Sequence, residues 1–151
     1  TGFGLTGEAI FGYGYSSTYS NILNKVSSAG VVASDTTASG TGNVARGAAM
    51  YGSTGQAIFA FGETSGGRTG ISNLCSNTGV VSSDVSAVGT ARFYGAMSAY
   101  GGDKAIFAFG YTTGVTNVSN KINNVGTVAS DTSGVGSARS GLAGLGYSYS
   151  A

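Results

Sequence analysis

The stretch Gly55-Gln56-Ala57-Ile58-Phe59-Ala60-Phe61-Gly62 decides the fold, because the chain contains it three times in related form. Residues 7–14 read Gly-Glu-Ala-Ile-Phe-Gly-Tyr-Gly and residues 103–110 read Asp-Lys-Ala-Ile-Phe-Ala-Phe-Gly, so the spacing is 48 residues each time. A fixed period of this length is typical of proteins built from stacked structural repeats. The sequence therefore predicts a single repeat domain over residues 1–151, with units at about 9–56, 57–104 and 105–151 and with residues 1–8 as the end strand of a preceding unit.

Other residues recur in the same order within each unit. An asparagine follows the Ala-Ile-Phe segment, and after it come a glycine that opens a short apolar run, a Ser-Asp pair and an Ala-Arg pair. The repeated charged residues are Asp35, Asp84 and Asp131, and Arg46, Arg92 and Arg139. A residue that recurs in every unit usually serves the structure of the unit, so we interpret these six as structural repeat positions.

The apolar segments are short and are separated by Gly, Asn, Asp, Ser or Thr, which is typical of β-strands joined by turns. Glycine interrupts every longer segment, and a glycine inside a helix costs about 1 kcal/mol. We therefore expect an all-β fold with four antiparallel strands per unit and no substantial helix. Both faces of the segment Ala57–Phe61 are apolar, so this strand should be covered on both sides.

A stack of four-stranded sheets packed face to face is the arrangement found in a β-propeller, and we predict sheets of this blade-like kind. Three units are fewer than the roughly four to eight blades of a propeller ring. The chain is then expected to be a piece of a longer array, or to join a second copy head-to-tail into six blades. The alternatives are a threefold closed β-prism or β-trefoil, and an open β-solenoid.

The composition argues against several classes of function. Of 151 residues 28 are glycine and only 9% are charged, yet 41% are hydrophobic, so the chain can bury a core. The net charge is +1 and the Lys and Arg residues are not clustered, which argues against a nucleic-acid partner. No apolar run approaches the length of about 18 residues that a bilayer span requires, so we expect no membrane span.

The sequence offers few residues for catalysis. Histidine is absent, which removes the commonest general base and metal ligand. The single cysteine, Cys75, occupies the position of Val26 and Ile122 in the other units, which indicates a small buried hydrophobic residue. We therefore predict that the chain is not an enzyme and holds no catalytic residue, no metal and no cofactor.

The repeated aspartates allow two interpretations. A ring of three carboxylates could bind Ca²⁺ or a sugar. Alternatively, each aspartate accepts backbone N–H groups in its own turn or pairs with the arginine of the same unit, and this is the interpretation that we favour.

Tyrosine is the residue type that most suggests binding. Tyr15, Tyr19 and Tyr111 fall at strand ends or in loops, beside Ser, Asn and Gly. This combination is typical of adaptable binding surfaces, so we predict these three as possible glycan contacts. A tyrosine that ends a strand with its hydroxyl group in water is the structural alternative.

One long stretch resembles a known family. Residues 92–110, with Arg92, Ala96, the Tyr100-Gly101-Gly102 turn and the strand that ends at Gly110, resemble a blade of a kelch-type propeller. The glycine-rich units are also similar to the kelch-like repeats in virion and tail-fibre proteins of tailed bacteriophages. The resemblance implies a propeller-type stack and a structural role in a virion.

We therefore expect a self-assembling structural protein of a virion, either tail, fibre or capsid-associated, or of an extracellular filament. Its partners would be further copies of itself and other virion or filament proteins. Its location would be the virion or the extracellular space. The alternative is a carbohydrate-binding module that recognises surface glycans, as a receptor-binding fibre domain or a lectin does.

Overall fold

The computed structural model describes residues 7–147, and the regular secondary structure in this range is entirely β. The strands are β1 (Ala9–Tyr15), β2 (Tyr19–Val26), β3 (Thr36–Thr37), β4 (Gly47–Tyr51), β5 (Gln56–Ala60), β6 (Glu63–Thr64), β7 (Gly67–Arg68), β8 (Ser72–Cys75), β9 (Ala96–Tyr100), β10 (Lys104–Ala108) and β11 (Ser119–Ile122). The all-β prediction is confirmed. Within this range, the chain forms no helix that could cross a membrane.

Three sheets follow one another along the chain. The first sheet has the strand order β1-β2-β3, the second β4-β5-β8 and the third β9-β10-β11, and a small hairpin pairs β6 with β7. Every pairing is antiparallel. Over residues 7–147 no sheet closes on itself or on another, so the closed threefold alternative is not observed there.

The prediction of four strands per sheet was wrong, because each sheet has three. In the first sheet the fourth position is the short strand β3, whereas in the second and third sheets it is marked only by isolated bridges, such as that between Val81 and Cys75 and that between Val128 and Ile122. In the second sheet, a side-chain hydrogen bond takes the place of a backbone one, because the Asn73 amide donates to the carbonyl of Ser82 at 3.1 Å. This segment therefore follows the sheet without forming a continuous strand.

The sheets are offset from the predicted units. Strand β4 belongs to the predicted unit 9–56, yet it pairs with β5, placing Gly47 opposite Ala60 and Tyr51 opposite Gln56. Strand β9 joins the third sheet in the same way. The first sheet has no corresponding strand among residues 7–147. Most of the end strand predicted at residues 1–8 lies outside the described residues.

The second sheet lies between the other two, as its two apolar faces predict. Ile58 and Phe59 are neighbours on opposite faces of β5, and they are 0% and 5% exposed. Phe59 packs with Leu23 of the first sheet, whereas Ile58 packs with Phe107 of the third. The equivalent residue of the first sheet, Phe11, faces away from the second sheet and is 66% exposed.

Candidate functional site

The most specific polar contacts of the molecule join one sheet to the next. Between the second and third sheets, the carboxylate of Asp131 accepts the backbone N–H of Thr90 at 3.1 Å and its hydroxyl at 2.5 Å. The Asn120 amide donates to the same carboxylate at 2.9 Å. We call this cluster, together with the arginine described below, the joint.

The first and second sheets are connected by the same joint. Asp84 accepts the backbone N–H of Thr41 at 3.1 Å and its hydroxyl at 2.5 Å, and the Asn73 amide donates to it at 2.8 Å. In both joints the threonine lies on the chain that leaves one sheet, and the aspartate belongs to the next sheet. The carboxylate therefore holds two successive sheets together.

An arginine completes each joint. Arg92 is fully buried, and its guanidinium lies beside the stacked rings of Phe61 and Phe107, 4.4 and 4.8 Å from their centres. Its Nη2 donates to Asn120 Oδ1 at 2.6 Å, and its Nε donates to the carbonyl of Phe109 at 2.9 Å. These two donors bind the third sheet, whereas Nη1 donates at 3.0 Å to the carbonyl of Thr90, on the chain that leaves the second sheet.

Arg46 reaches the same place from a different backbone position. Its Nη1 donates to Asn73 Oδ1 at 2.6 Å, and its guanidinium lies 4.2 Å from the ring centre of Tyr13. The backbone residues in corresponding positions are Asn43, Arg92 and Arg139, whose carbonyls accept the N–H groups of Gly14, Gly62 and Gly110. The predicted equivalence of the three Ala-Arg pairs was therefore wrong for Arg46, which lies three residues further along the chain.

The surroundings of the joint shift the pKa values of its aspartates and arginines. Burial raises the pKa of Asp84 and of Asp131, but the hydrogen bonds from the threonine side chain, the asparagine side chain and the threonine backbone outweigh it, so both pKa values are lowered. Burial lowers the pKa of Arg46 and of Arg92 to about 10, so both remain cationic at neutral pH.

We favoured the interpretation that each aspartate accepts N–H groups in its own turn or pairs with the arginine of its own unit. For Asp84 and Asp131 this was wrong, because each accepts the N–H of a threonine of the preceding predicted unit. Asp131 Oδ1 lies 4.0 Å from Arg92 Nη1, and Arg92 belongs to the preceding predicted unit. The reason is the turn at Gly89, which has a φ of +78° and carries the chain across to the next sheet. A Cβ at Gly89 would lie 2.5 Å from Asn120 Nδ2, so only glycine fits.

Sequence reasoning assigned no role to the asparagines or to the threonines. The signal was present, because an asparagine lies eleven residues before the aspartate in every unit: Asn24 before Asp35, Asn73 before Asp84 and Asn120 before Asp131. In the described residues, Asp35 accepts the Asn24 amide at 2.8 Å and has no threonine donor. Arg139 is exposed and stacks on Phe109 at 3.8 Å.

Two of the three predicted tyrosines lie together. The rings of Tyr15 and Tyr19 are 5.6 Å apart, edge to face, beside a shallow cavity of about 380 Å³ that Ser17, Thr41 and Ser65 also line. Tyr15 is 64% exposed. Tyr111 does not line this cavity, because its ring packs against Phe93 at 5.7 Å.

A larger cavity of about 790 Å³ lies between the first and second sheets, and its wall includes Ile10, Phe59 and Cys75. Between the second and third sheets, Tyr51 of β4 joins the core instead. The first sheet has no strand equivalent to β4 among residues 7–147. The cavity therefore lies beside the edge of that sheet formed by β1. Burial raises the pKa of the Cys75 thiol, so this group stays protonated at neutral pH.

Metal-ligating side chains are scattered in the part of the chain that the structure describes. No group of three or more His, Cys, Asp or Glu residues comes together there. The three aspartates, in particular, lie in separate sheets and each binds its own asparagine. The structure does not bring them together as the ring of carboxylates that the sequence left open.

Comparison with known proteins gives a likeness of fold. No model of a known protein family matches the chain, and no curated protein matches it. Among solved structures, 84 chains are similar. One is described as a novel fungal alcohol oxidase with catalytic diversity among the AA5 family, in complex with copper; it has a TM-score of 0.59, 10% identity and coverage of 83% of this chain. The match spans 28% of that protein, a little over a quarter of its length.

This likeness contradicts the prediction that the chain is not an enzyme. The same fold occurs as part of an alcohol oxidase, so the prediction from the missing histidine is withdrawn. At 10% identity the likeness shows the fold alone. The copper and the oxidation named in that description are properties of that protein.

Proposed function

We propose that the chain is a structural repeat protein that assembles with further copies of itself, as part of a virion or of an extracellular filament. The observation that supports this proposal is the joint. The contacts of Asp84 with Thr41 recur as those of Asp131 with Thr90, at the same distances. A molecule that adds sheet after sheet through one type of contact is suited to extension by further sheets of the same type.

The proposal includes a propeller-type arrangement, in which each sheet is one blade. Its support is the stack of the three sheets, with Phe59 packed towards the first sheet and Phe107 towards the second. The resemblance of the glycine-rich units to virion and tail-fibre repeats supports the choice of a virion. The scarcity of charge, at 9% of residues, suits a surface that is covered by neighbouring copies.

Light scattering coupled to size-exclusion chromatography tests this function. We expect the mass to rise above the 14.8 kDa of one chain as the concentration increases from about 1 µM to about 1 mM, the range in which weak specific contacts form. Electron microscopy of the concentrated sample should show rings or fibres. A constant mass of one chain over this range would contradict the proposed function.

A carbohydrate-binding role is the second candidate, and the paired rings of Tyr15 and Tyr19 beside a polar cavity favour it. We expect Tyr15→Ala to weaken glycan binding by about tenfold, as the loss of a single contact residue often does. Tyr111→Ala is a matched control, because Tyr111 lies outside this cavity. A glycan array without binding by the wild-type chain would exclude this role.

A further inference from the structure

We infer that two copies of this chain bind head-to-tail, with the turn Gly136–Arg139 of one copy entering the first sheet of the other and forming a third joint. The first sheet offers Phe11, Asn24 and Asp35 on its exposed face, which we call the acceptor face. Residues 136–147 are the donor segment. This inference rests on the proposed function and names the surfaces through which assembly would take place.

The donor segment already has the conformation found at a complete joint. Arg139 Nη1 donates to the carbonyl of Ser137 at 3.1 Å, just as Arg92 Nη1 donates to that of Thr90 at 3.0 Å. Arg139 also stacks on Phe109, as Arg92 stacks on the equivalent residue Phe61. The arginine is therefore positioned before any partner binds, which reduces the entropy lost on association.

The space that an aspartate occupies in the other joints is open at this end. A Cβ at Gly40 would lie 2.7 Å from Asp84 Oδ1, and one at Gly89 would overlap Asp131. At Gly136, the equivalent glycine, no atom of residues 7–147 lies within 4 Å of such a Cβ. Within residues 7–147, the N–H and hydroxyl of Ser137 donate to no group, whereas Thr90 uses both.

The acceptor face has the complementary groups. Asp35 is exposed, and among the described residues only the Asn24 amide donates to its carboxylate. The Oδ1 atom of Asn24 accepts no arginine there, whereas Asn73 Oδ1 and Asn120 Oδ1 each accept one at 2.6 Å. Phe11 is 66% exposed, although the equivalent Phe107 is fully buried beside Arg92.

The chain after Arg139 fits the same arrangement. Residues 142–147 pair with no strand in the described structure, and they run along β9, because a Cβ at Gly144 would lie 2.7 Å from the carbonyl oxygen of Met97. Strand β1 is paired on one edge, with β2. By the register of β9 on β10, the donor segment would pair with β1 of the second copy with Ala143 opposite Gly12 and Tyr147 opposite Glu8.

This contact is heterologous, because the donor segment and the acceptor face are different surfaces. Successive copies would form a ring if the rotation between copies closes, and an open fibre if it does not. The charges agree with the arrangement, since Arg139 and the donors of Ser137 meet the carboxylate of Asp35. Residues 1–6 of the receiving copy are the competing occupant for the edge of β1 with which no strand of residues 7–147 pairs.

Disulfide cross-linking tests the orientation. We would prepare Asp35→Cys and Ser137→Cys separately, each with Cys75→Val, because valine occupies the equivalent position in the first unit. We expect an oxidised mixture to give a cross-linked dimer that contains one chain of each variant, and each variant alone to stay uncross-linked. Asp35→Cys mixed with Ser65→Cys, which carries an exposed thiol in the turn between β6 and β7, is the control and should give none.

Sedimentation velocity provides the second measurement. Arg139→Ala should weaken association by at least about tenfold, whereas Arg68→Ala, which removes an exposed arginine that donates to the carbonyl of Thr112, should not. Assembly that persists without the mixed cross-link, or in Arg139→Ala at full strength, would overturn this inference and leave the proposed function intact. A mixed cross-link that forms without protection of the β1 amides by the donor segment would overturn the strand pairing. The absence of assembly at every concentration would overturn both proposals.

Discussion

At the scale of single residues, the molecule depends on a carboxylate that is bound from two sides. Asp131 receives two donors from Thr90 of the preceding segment and one from Asn120 of its own sheet. Hydrogen bonds to a charged group contribute about 1.5–3 kcal/mol when one partner is removed. Part of the Asp131 side chain is open to solvent, which places its contribution at the lower end of that range.

The first prediction at this scale is a dependence of stability on pH. The folded pKa values of Asp84 and Asp131 are lowered, so the unfolded chain binds more protons at acid pH. The stabilisation is therefore complete above the unfolded aspartate pKa of about 4 and is lost as the pH falls through the folded values. Urea unfolding between about pH 6 and pH 2 should show this loss, and Asp131→Asn should reduce the slope.

The chain supplies its own control for this prediction. Asp131→Ala should lower the free energy of unfolding by about 1–2 kcal/mol, whereas Asp35→Ala should lower it by no more than about 0.5 kcal/mol in the single chain. Asp35 lacks the threonine donors among the described residues, which explains the difference. Equal effects of the two substitutions would contradict the role that we assign to the joint.

At the scale of strands, the sequence correctly predicted that the segment forming β5 is covered on both faces. The apolar residues on both faces of β5 required a neighbour on each side, and Ile58 and Phe59 have one. The small residues of β4 allow the third sheet to pack closely against it. A Cβ at Gly47 of β4 would lie 2.6 Å from the ring of Phe107, so the third sheet could not approach a larger residue there.

The pairing of strands and the position of Arg46 could not be read from the repeat. Strand β4 lies in sequence between β3 of the first sheet and β5 of the second, so it could join either sheet. The short turn that ends at Gln56 places it against β5. The first unit has three more residues between Thr41 and Arg46 than the second has between Thr90 and Arg92. The backbone of Arg46 is therefore displaced, but its long side chain still donates to Asn73. An alignment of the three units shows the shared Ala-Arg motif and does not show this displacement.

At the scale of the whole molecule, the repeat predicted the number of sheets and their order. The sequence did not predict that the aspartate of one unit binds the chain of the unit before it, because that contact depends on how the turn at Gly89 crosses between sheets. The absence of histidine led to the wrong prediction that the chain is not an enzyme, since the fold is shared with part of an oxidase. The repeats do suggest that the donor segment and the acceptor face, at the two ends of the stack, each form one half of a joint.

Amide hydrogen exchange at three equivalent residues tests the central claim that one joint operates within the chain and between copies. At low concentration, the amides of Thr41 and Thr90 should exchange slowly, because each donates to an aspartate, and the amide of Ser137 should exchange fast. At concentrations where the chain assembles, the Ser137 amide should become as slow as the other two. An exchange rate at Ser137 that does not change with assembly, or fast exchange at Thr90, would contradict the account.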